Sequence, residues 1–230
     1  MPNPAVFFVL ALLAMVVLGY LAYRSETKRR KALLDWATAH GFRYRAGKNR
    51  ALADRFSAFR CLREGLDRYA ENVMVCSRPG GNVWAFDFHY ETRSTNSKGQ
   101  STTTHHRFSA VVVETVLPLK PLVIRPENFF DRITEFFGLD DIDFESTAFS
   151  NAFYVTSPDR RWAFDVLGQA TMEYLLDAPR FTLEMAGPWF MARRSSRLDP
   201  EDFSAALAVL DGILDRLPGY LRRELEGERS

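Results

Sequence analysis

The sequence predicts an α+β protein in which one N-terminal transmembrane helix is followed by a soluble domain of antiparallel β-meander or hairpins and amphipathic helices. Three observations carry this prediction. The run AVFFVLALLAMVVLGYLAY, Ala5 to Tyr23, contains no Asp, Glu, Lys or Arg. The stretch ENVMVCS-RPGGN-VWAFDFHYET alternates with period two on either side of a turn. Strand-like segments come in runs rather than alternating singly with helices, which favours antiparallel pairing over a doubly wound parallel sheet.

The apolar run has the length a membrane asks for. A hydrocarbon core about 30 Å thick needs about 20 residues of helix at 1.5 Å each, and in lipid the backbone groups must pair within the segment. Tyr20 and Tyr23 stand at one end, where amphipathic rings favour the headgroup layer. A retained anchor is expected rather than a cleaved signal peptide. Met1-Pro2-Asn3-Pro4 carries no basic side chain, and Gly19-Tyr20-Leu21-Ala22-Tyr23 is a poor small-x-small cleavage site. Arg24, Lys28, Arg29, Arg30 and Lys31 follow the span and no basic residue precedes it. The positive-inside rule then places the N-terminus outside and the domain in the cytoplasm, at the inner membrane. The same five side chains form a candidate membrane-surface cluster for anionic headgroups. The expected organisation is a transmembrane helix over 5–23, a juxtamembrane basic helix and linker over 24–48, and a cytoplasmic α+β domain over 49–230, with 49–138 and 139–230 as candidate packed halves.

Composition narrows the function. Apolar residues make up 47% of the chain and include 19 Phe, enough for a sizeable core in the roughly 200 residues that follow the anchor. A net charge of +1 supplies no global field for nucleic acid. Cys61 and Cys76 have no C-x-x-C spacing, so paired-cysteine zinc is excluded and thiols are expected in a reducing cytoplasm. No cofactor is implied: there is neither a G-x-G-x-x-G nor a Walker loop. No G-x-S-x-G nucleophile elbow is present, and Pro79-Gly80-Gly81-Asn82 has the chemistry of a turn.

The remaining elements follow in order. Ser25 to His40 reads as a helix stopped by Gly41, GFRYRAG as a short strand, and Asn49 to Phe59 as a short helix. Beyond the hairpin, RSTNSKGQSTTT reads as a polar loop that cannot bury a core. HHRFSAVVVETV and PLVIRPE continue the meander. Pro126 to Gly138 reads as a helix, with Phe129, Phe130, Ile133, Phe136 and Phe137 at helical spacing. DIDFESTAFSNAFYVTS reads as extended. Ser157-Pro158 reads as an N-cap and N1 pair for a helix ending near Gly168. ATMEYLLD reads as a helix, and RFTLEMAGPWFMARR as a hairpin turning at Ala186-Gly187-Pro188. Asp199-Pro200-Glu201-Asp202 opens a last helix with Phe203, Leu207, Leu210, Ile213, Leu214 and Leu217 on one stripe.

Candidate chemistry collects on the meander. Period two puts Trp84, Phe86, Phe88 and Tyr90 on one face and Asp87, His89 and Glu91 on the other. If the aromatics meet Phe108, Ala110 and Val112, the polar set faces His105, Arg107 and Ser109. Carboxylate and imidazole together bind divalent metals. Asp87, His89, Glu91 and His105 are therefore the candidate metal ligands, and Asp87, His89 and His105 the candidate catalytic set; an ordinary charged sheet face is the structural alternative. His105 and His106 point to opposite faces, so they do not chelate together. The run Asp140-Asp141-Ile142-Asp143-Phe144-Glu145 begins like a calcium loop but lacks the glycine at position six and the glutamate at position twelve; it fits a half-buried strand.

At DIDFESTAFSNAFYV and the following TMEYLL, the chain resembles bacterial membrane-anchored proteins grouped as domains of unknown function. Asp143, Phe144, Phe149, Phe153, Val155, Met172 and Glu173 carry the resemblance, with a fainter match at FDFHYET. It implies a bacterial membrane setting and brings no activity. The expected function is a single-pass membrane protein with a cytoplasmic protein-interaction or scaffold module. Its expected partners are the lipid bilayer and a membrane or cytoplasmic protein, not nucleic acid. The alternatives are a metal-dependent hydrolytic enzyme using the polar meander face, and a membrane-tethered small-ligand sensor with a pocket against the Phe129–Phe137 helix.

Overall fold

The structure is a computed structural model and describes residues 4–97, 99–127 and 141–227. Its elements are α1 (Pro4–Ala39), β1 (Arg43–Arg45), α2 (Ala51–Arg55), β2 (Leu66–Arg78), β3 (Gly81–Thr95), β4 (Ser101–Pro126), α3 (Thr147–Ser150), β5 (Phe153–Thr156), α4 (Arg160–Val166), α5 (Gln169–Asp177), β6 (Thr182–Arg194), α6 (Pro200–Arg216) and α7 (Gly219–Gly227). This is the α+β arrangement predicted, a long apolar helix followed by an antiparallel sheet with helices. α1 is one unbroken helix of 36 residues. The apolar run and the basic run that follows it are one rod, about 54 Å long at 1.5 Å per residue.

The six strands form a single sheet in the order β1-β2-β3-β4-β5, with β6 also paired to β4. The β2–β3 turn closes at Arg78↔Gly81. Gly81 has φ +142°, and a Cβ there would strike the backbone carbonyl of Glu114 on β4, so only glycine fits. β3 and β4 pair without interruption from Val83↔Val113 to Thr95↔Ser101.

Several segments differ from the sequence reading, each for a local reason. The polar stretch from Ser94 to Thr104 is not a long loop. Its threonines suit strands, and the ladder runs out to Thr95↔Ser101 before Asn96 and Gln100 close the turn. β4 is one strand where two were expected. Its register against β6 breaks between Glu114 and Leu119 and again before Leu122, around Pro118 and Pro121, which have no N–H to donate. The hairpin expected in β6 does turn at Gly187, where φ is +58°, but its two arms pair with β4 instead of each other. Leu183 to Gly187 lie against Ile124 to Leu119, and Trp189 to Arg194 against Glu114 to Ser109. The bend is sharp. Glu184 and Arg193, nine positions apart and about 30 Å apart if extended, form a buried ion pair at 3.1 Å.

The stretch from Asp141 to Thr156 is only partly extended. The Ser146 hydroxyl accepts the Phe149 N–H at 3.3 Å and starts the one-turn α3, leaving Phe153–Thr156 as strand. The acidic run serves structure: Asp141 accepts the Val155 N–H at 2.9 Å, and Ile142 and Phe144 are buried while Asp143 and Glu145 are exposed. The cap of α4 is Asp159, whose carboxylate accepts the Trp162 N–H at 3.0 Å. Ser157 instead donates to the Pro121 carbonyl at 2.7 Å. α6 starts as expected, with Pro200 at N1 and a capping box between Asp199 and Asp202. Of the residues expected to form a helix from Pro126 to Gly138, Pro126 ends β4. Those from 128 onward lie outside the described residues, and with them the pocket of the sensor reading.

Both faces of the sheet are covered. Trp84, Phe86, Phe88, Phe108 and Val112 meet Leu52, Phe56, Phe59 and Leu62 from the α2 region. On the other face Met74, Val83, Ala85, Val111 and Val113 meet Leu33, Trp36 and Ala37 of α1, together with Phe203 and Leu210 of α6. Trp36 also donates its indole N–H to Ser204 of α6 at 2.9 Å. Of the residues of the sequence resemblance, Phe144, Phe149, Phe153 and Val155 are core, Met172 is half-buried against it, and Asp143 and Glu173 are exposed.

Phe86 is fully buried and stacks parallel to Phe56 at 6.1 Å. Phe86→Ala is expected to lower the unfolding free energy by about 3–5 kcal/mol, measured by chemical denaturation of the detergent-solubilised chain. A loss under about 1 kcal/mol would contradict the packing described.

Candidate functional site

The polar face of the meander divides into two sites. The β3–β4 register pairs Asp87 with Ser109, His89 with Arg107 and Glu91 with His105, the pairing in which Phe88 meets Phe108. Asp87, His89 and Glu91 thus lie in a row, and their surroundings grow wetter along it. Asp87 is 1% exposed, His89 is 3% exposed, and Glu91 reaches the surface.

Asp87 faces α1. One face of that helix turns inward at Glu26, Arg29, Leu33 and Trp36, the spacing of a single helical stripe. The Arg29 guanidinium meets the Asp87 carboxylate in a two-toothed pair at 2.5 and 2.9 Å, and it also donates to the Leu198 carbonyl at 2.7 Å. Asn72 donates to Asp87 at 2.8 Å and Ser109 at 2.5 Å. The Ser109 oxygen in turn accepts the Leu198 N–H at 2.9 Å. Each Asp87 oxygen therefore accepts two hydrogen bonds, which uses the lone pairs a carboxylate has. Asp87 leaves the candidate metal and catalytic sets for that reason. Arg29 likewise leaves the membrane-surface cluster: its side chain is 13% exposed and engaged with the sheet. Arg24, Lys28, Arg30 and Lys31 remain on exposed positions of the rod.

Local backbone geometry builds this latch. β2 carries two register shifts against β3, and each contains a non-glycine residue with positive φ, Asp67 at 44° and Asn72 at 51°. Such residues are uncommon, and Asn and Asp tolerate the conformation best. The bulge at Asn72 turns its amide onto Asp87. The far end of that amide accepts the Tyr44 hydroxyl at 2.7 Å, and burial pushes the Tyr44 pKa up, so the phenol stays a donor at neutral pH. One turn of α1 toward the apolar run, Glu26 accepts from Arg197 at 2.8 Å and lies 3.4 Å from Arg30. Burial pulls the Glu26 pKa upward, but the Arg197 hydrogen bond and the charges of Arg197, Arg30 and Arg29 outweigh it and hold the carboxyl below its ordinary value.

The second site is His89, Glu91 and His105. The bulge at Asp67 presents its carbonyl to His89 Nδ1 at 3.2 Å. A carbonyl only accepts, so Nδ1 carries the proton and Nε2 offers a lone pair. That Nε2 lies 3.2 Å from His105 Nδ1, which lies 3.3 Å from Glu91 Oε1. Tyr69 stacks on the His89 ring at 4.5 Å. His106, on the opposite face, bonds Thr92 at 2.8 Å and stacks on Tyr90. Asn72, Tyr44 and Leu198 escaped sequence reasoning. Positive φ at a bulge and a loop folded back from another element leave no periodic trace.

No protein-family model matches the chain, and no curated protein sequence does. A solved structure does: the crystal structure of the mycobacterial trehalose monomycolate transport factor A, TtfA, superposes with a TM-score of 0.60 at 17% identity. The match covers 83% of this chain and 95% of that one. At this identity the likeness is one of fold.

Two predictions follow from the latch. Asp87→Ala strands a buried guanidinium and is expected to cost about 3–5 kcal/mol; Arg29→Met in addition recovers part of that loss. A double-mutant cycle by denaturation reads the coupling, and simple additivity would contradict the pairing. Glu26 responds to pH. Its folded pKa is depressed, so its contribution is full above the ordinary value of 4.5 and is lost as pH falls through the folded value. The stability advantage of wild type over Glu26→Gln should therefore be largest near neutrality and shrink below about pH 4.5, by thermal unfolding across a pH series.

Proposed function

We propose that the protein is a single-pass inner-membrane protein, N-terminus outside, whose cytoplasmic α+β domain is a protein-interaction module held at the membrane surface. The observation that carries this reading is the division of α1. From Phe7 to Tyr23 every side chain is exposed, Phe8 to 73% and Leu18 to 65%. A contiguous apolar surface of this kind demands lipid or a partner, and the helix is long and apolar enough to cross a membrane. Only three residues later Glu26 turns inward, and Arg29 enters the sheet. At 1.5 Å per residue the latch stands about 9 Å beyond Tyr23, just past a headgroup layer of about 5–8 Å. The domain is thus a fixed extension of the rod and not a body on a flexible tether. Arg24 falls in the headgroup zone and Lys28, Arg30 and Lys31 at its outer edge, which supports a cytoplasmic domain.

The partner surface we assign is the outer part of the β3–β4 ribbon. β2 accompanies β3 only to Glu91, and β6 accompanies β4 only to Ser109. Between Thr92 and Thr104 the two strands are flanked by no other strand among the described residues, and the residues described there are exposed. Two-stranded ribbons are marginal in water, and their open edges accept a further strand. The fold shared with a trehalose monomycolate transport factor supports a role in transport at a membrane.

A photo-crosslinking residue at Thr102, used in native membranes and followed by mass spectrometry, is expected to capture one membrane protein. Replacing Thr92–Thr104 by a short turn should abolish the adduct when the crosslinker is moved to Arg107. Adducts unchanged by that replacement, or none from any ribbon position, would contradict the assignment.

A further inference from the structure

We propose that His89, Glu91 and His105 form a zinc site with one open coordination position. The three donor atoms lie within 4.8 Å of one another. Two of their separations are more telling: His89 Nε2 to His105 Nδ1 is 3.2 Å, and His105 Nδ1 to Glu91 Oε1 is 3.3 Å. Ligands at 2.0–2.1 Å from a tetrahedral zinc stand about 3.3 Å apart along each edge. His105 Nδ1 faces two acceptors, the His89 Nε2 lone pair and the Glu91 carboxylate, with one proton to give, whereas a cation would be held by all three donors.

His89 is prepared as a ligand. Its Nδ1–H is committed to the Asp67 carbonyl, which fixes the tautomer with the Nε2 lone pair turned toward the other two donors. This is the outer-shell arrangement that metal-binding histidines use. Tyr69 holds the plane of the ring, and the strained φ of 44° at Asp67 is what brings the carbonyl there. The donor set of two imidazoles and a carboxylate suits zinc better than magnesium or calcium, which prefer oxygen alone. His105 is exposed, with 61% of its side chain accessible, so the fourth position opens to solvent and takes a water. Asp87, next along the strand, is saturated by Arg29, Asn72 and Ser109 and is no ligand. The site is therefore distinct from the latch and stands or falls separately from the partner-binding reading.

The test uses the full chain in detergent, stripped with chelator and carrying Cys76→Ser to remove the partly accessible thiol, titrated with zinc chloride by calorimetry. One zinc per chain is expected. His105→Ala, at the surface, and Glu91→Gln, a near-isosteric change at a half-buried position, are both expected to leave the thermal unfolding midpoint of the metal-free chain in place and should weaken binding about 100-fold or more, since changes in the outer shell alone cost 10–100-fold. His106→Ala, on the opposite face, should leave it unchanged. Cobalt(II) should give the intense visible absorption of a tetrahedral site in wild type and lose it in His105→Ala. No stoichiometric zinc in wild type, or affinity that survives both His105→Ala and Glu91→Gln, would overturn the proposal.

Discussion

A carboxylate buried in the middle of a sheet must have its charge answered, and in this chain the answer comes from the long N-terminal helix. Asp87 lies on β3 where the apolar face beneath α1 gives way to polar side chains. Its counter-charge, Arg29, belongs to a helix that starts at Pro4. Removing either partner leaves an ion in a dry place, and the cost of that exceeds what a surface ion pair is worth. Around this pair β1, β2, β4 and the segment before α6 converge through Tyr44, Asn72, Ser109 and Leu198. The long helix and the sheet are joined by one polar network, and the apolar contacts of Leu33, Trp36 and Ala37 continue the same helix face.

Much of this was readable in the residues because periodicity encodes it. The unbroken apolar run, the alternation of Trp84, Phe86 and Phe88 against Ala85, Asp87 and His89, and the capping chemistry at Asp199 each follow from a local rule that the fold obeys. The β3–β4 register was conditional on Phe88 meeting Phe108, and the burial of the aromatic face selects that pairing, since a slip of one residue would bury Asp87 and His89 against α2. What was not readable depends on distant partners. A basic residue after a membrane span looks the same whether it faces headgroups or a buried carboxylate, and only the helical phase of Glu26, Arg29, Leu33 and Trp36 separates Arg29 from Arg30. The bend shared by β4 and β6 was legible as a turn at Gly187-Pro188, but which strand each arm would join was not, because both candidate pairings satisfy the same alternation.

The two bulges of β2 show how a sheet face becomes a site. Each inserts a residue at positive φ, a local cost of order 1 kcal/mol, and each delivers one polar group to β3. The Asn72 amide goes to Asp87 and the Asp67 carbonyl goes to His89. Neighbouring residues of one strand, with the same orientation and two positions apart, are thereby given different work. Asp87 is closed off as a structural lock, and His89, itself buried, is left with an open lone pair facing the exposed His105. Of the residues the hydrolytic reading placed on the polar meander face, Asp87 is thereby tied to Arg29, Asn72 and Ser109, while His89, Glu91 and His105 stay together. A fold shared with TtfA at 17% identity sets the architecture without dictating either arrangement.

The central claim is that α1 runs from its exposed apolar half into the core as one rigid element locked by Arg29 and Asp87. Hydrogen–deuterium exchange of the full chain in nanodiscs, resolved across residues 24–37, tests it most directly. The account predicts slow exchange throughout, with Arg24 to Ala32 protected on the same scale as Leu33 to Ala37, and accelerated exchange from Arg24 to Ala32 in Asp87→Asn. Fast exchange over Arg24 to Ala32 in the wild-type chain would show a hinge where this account places a strut.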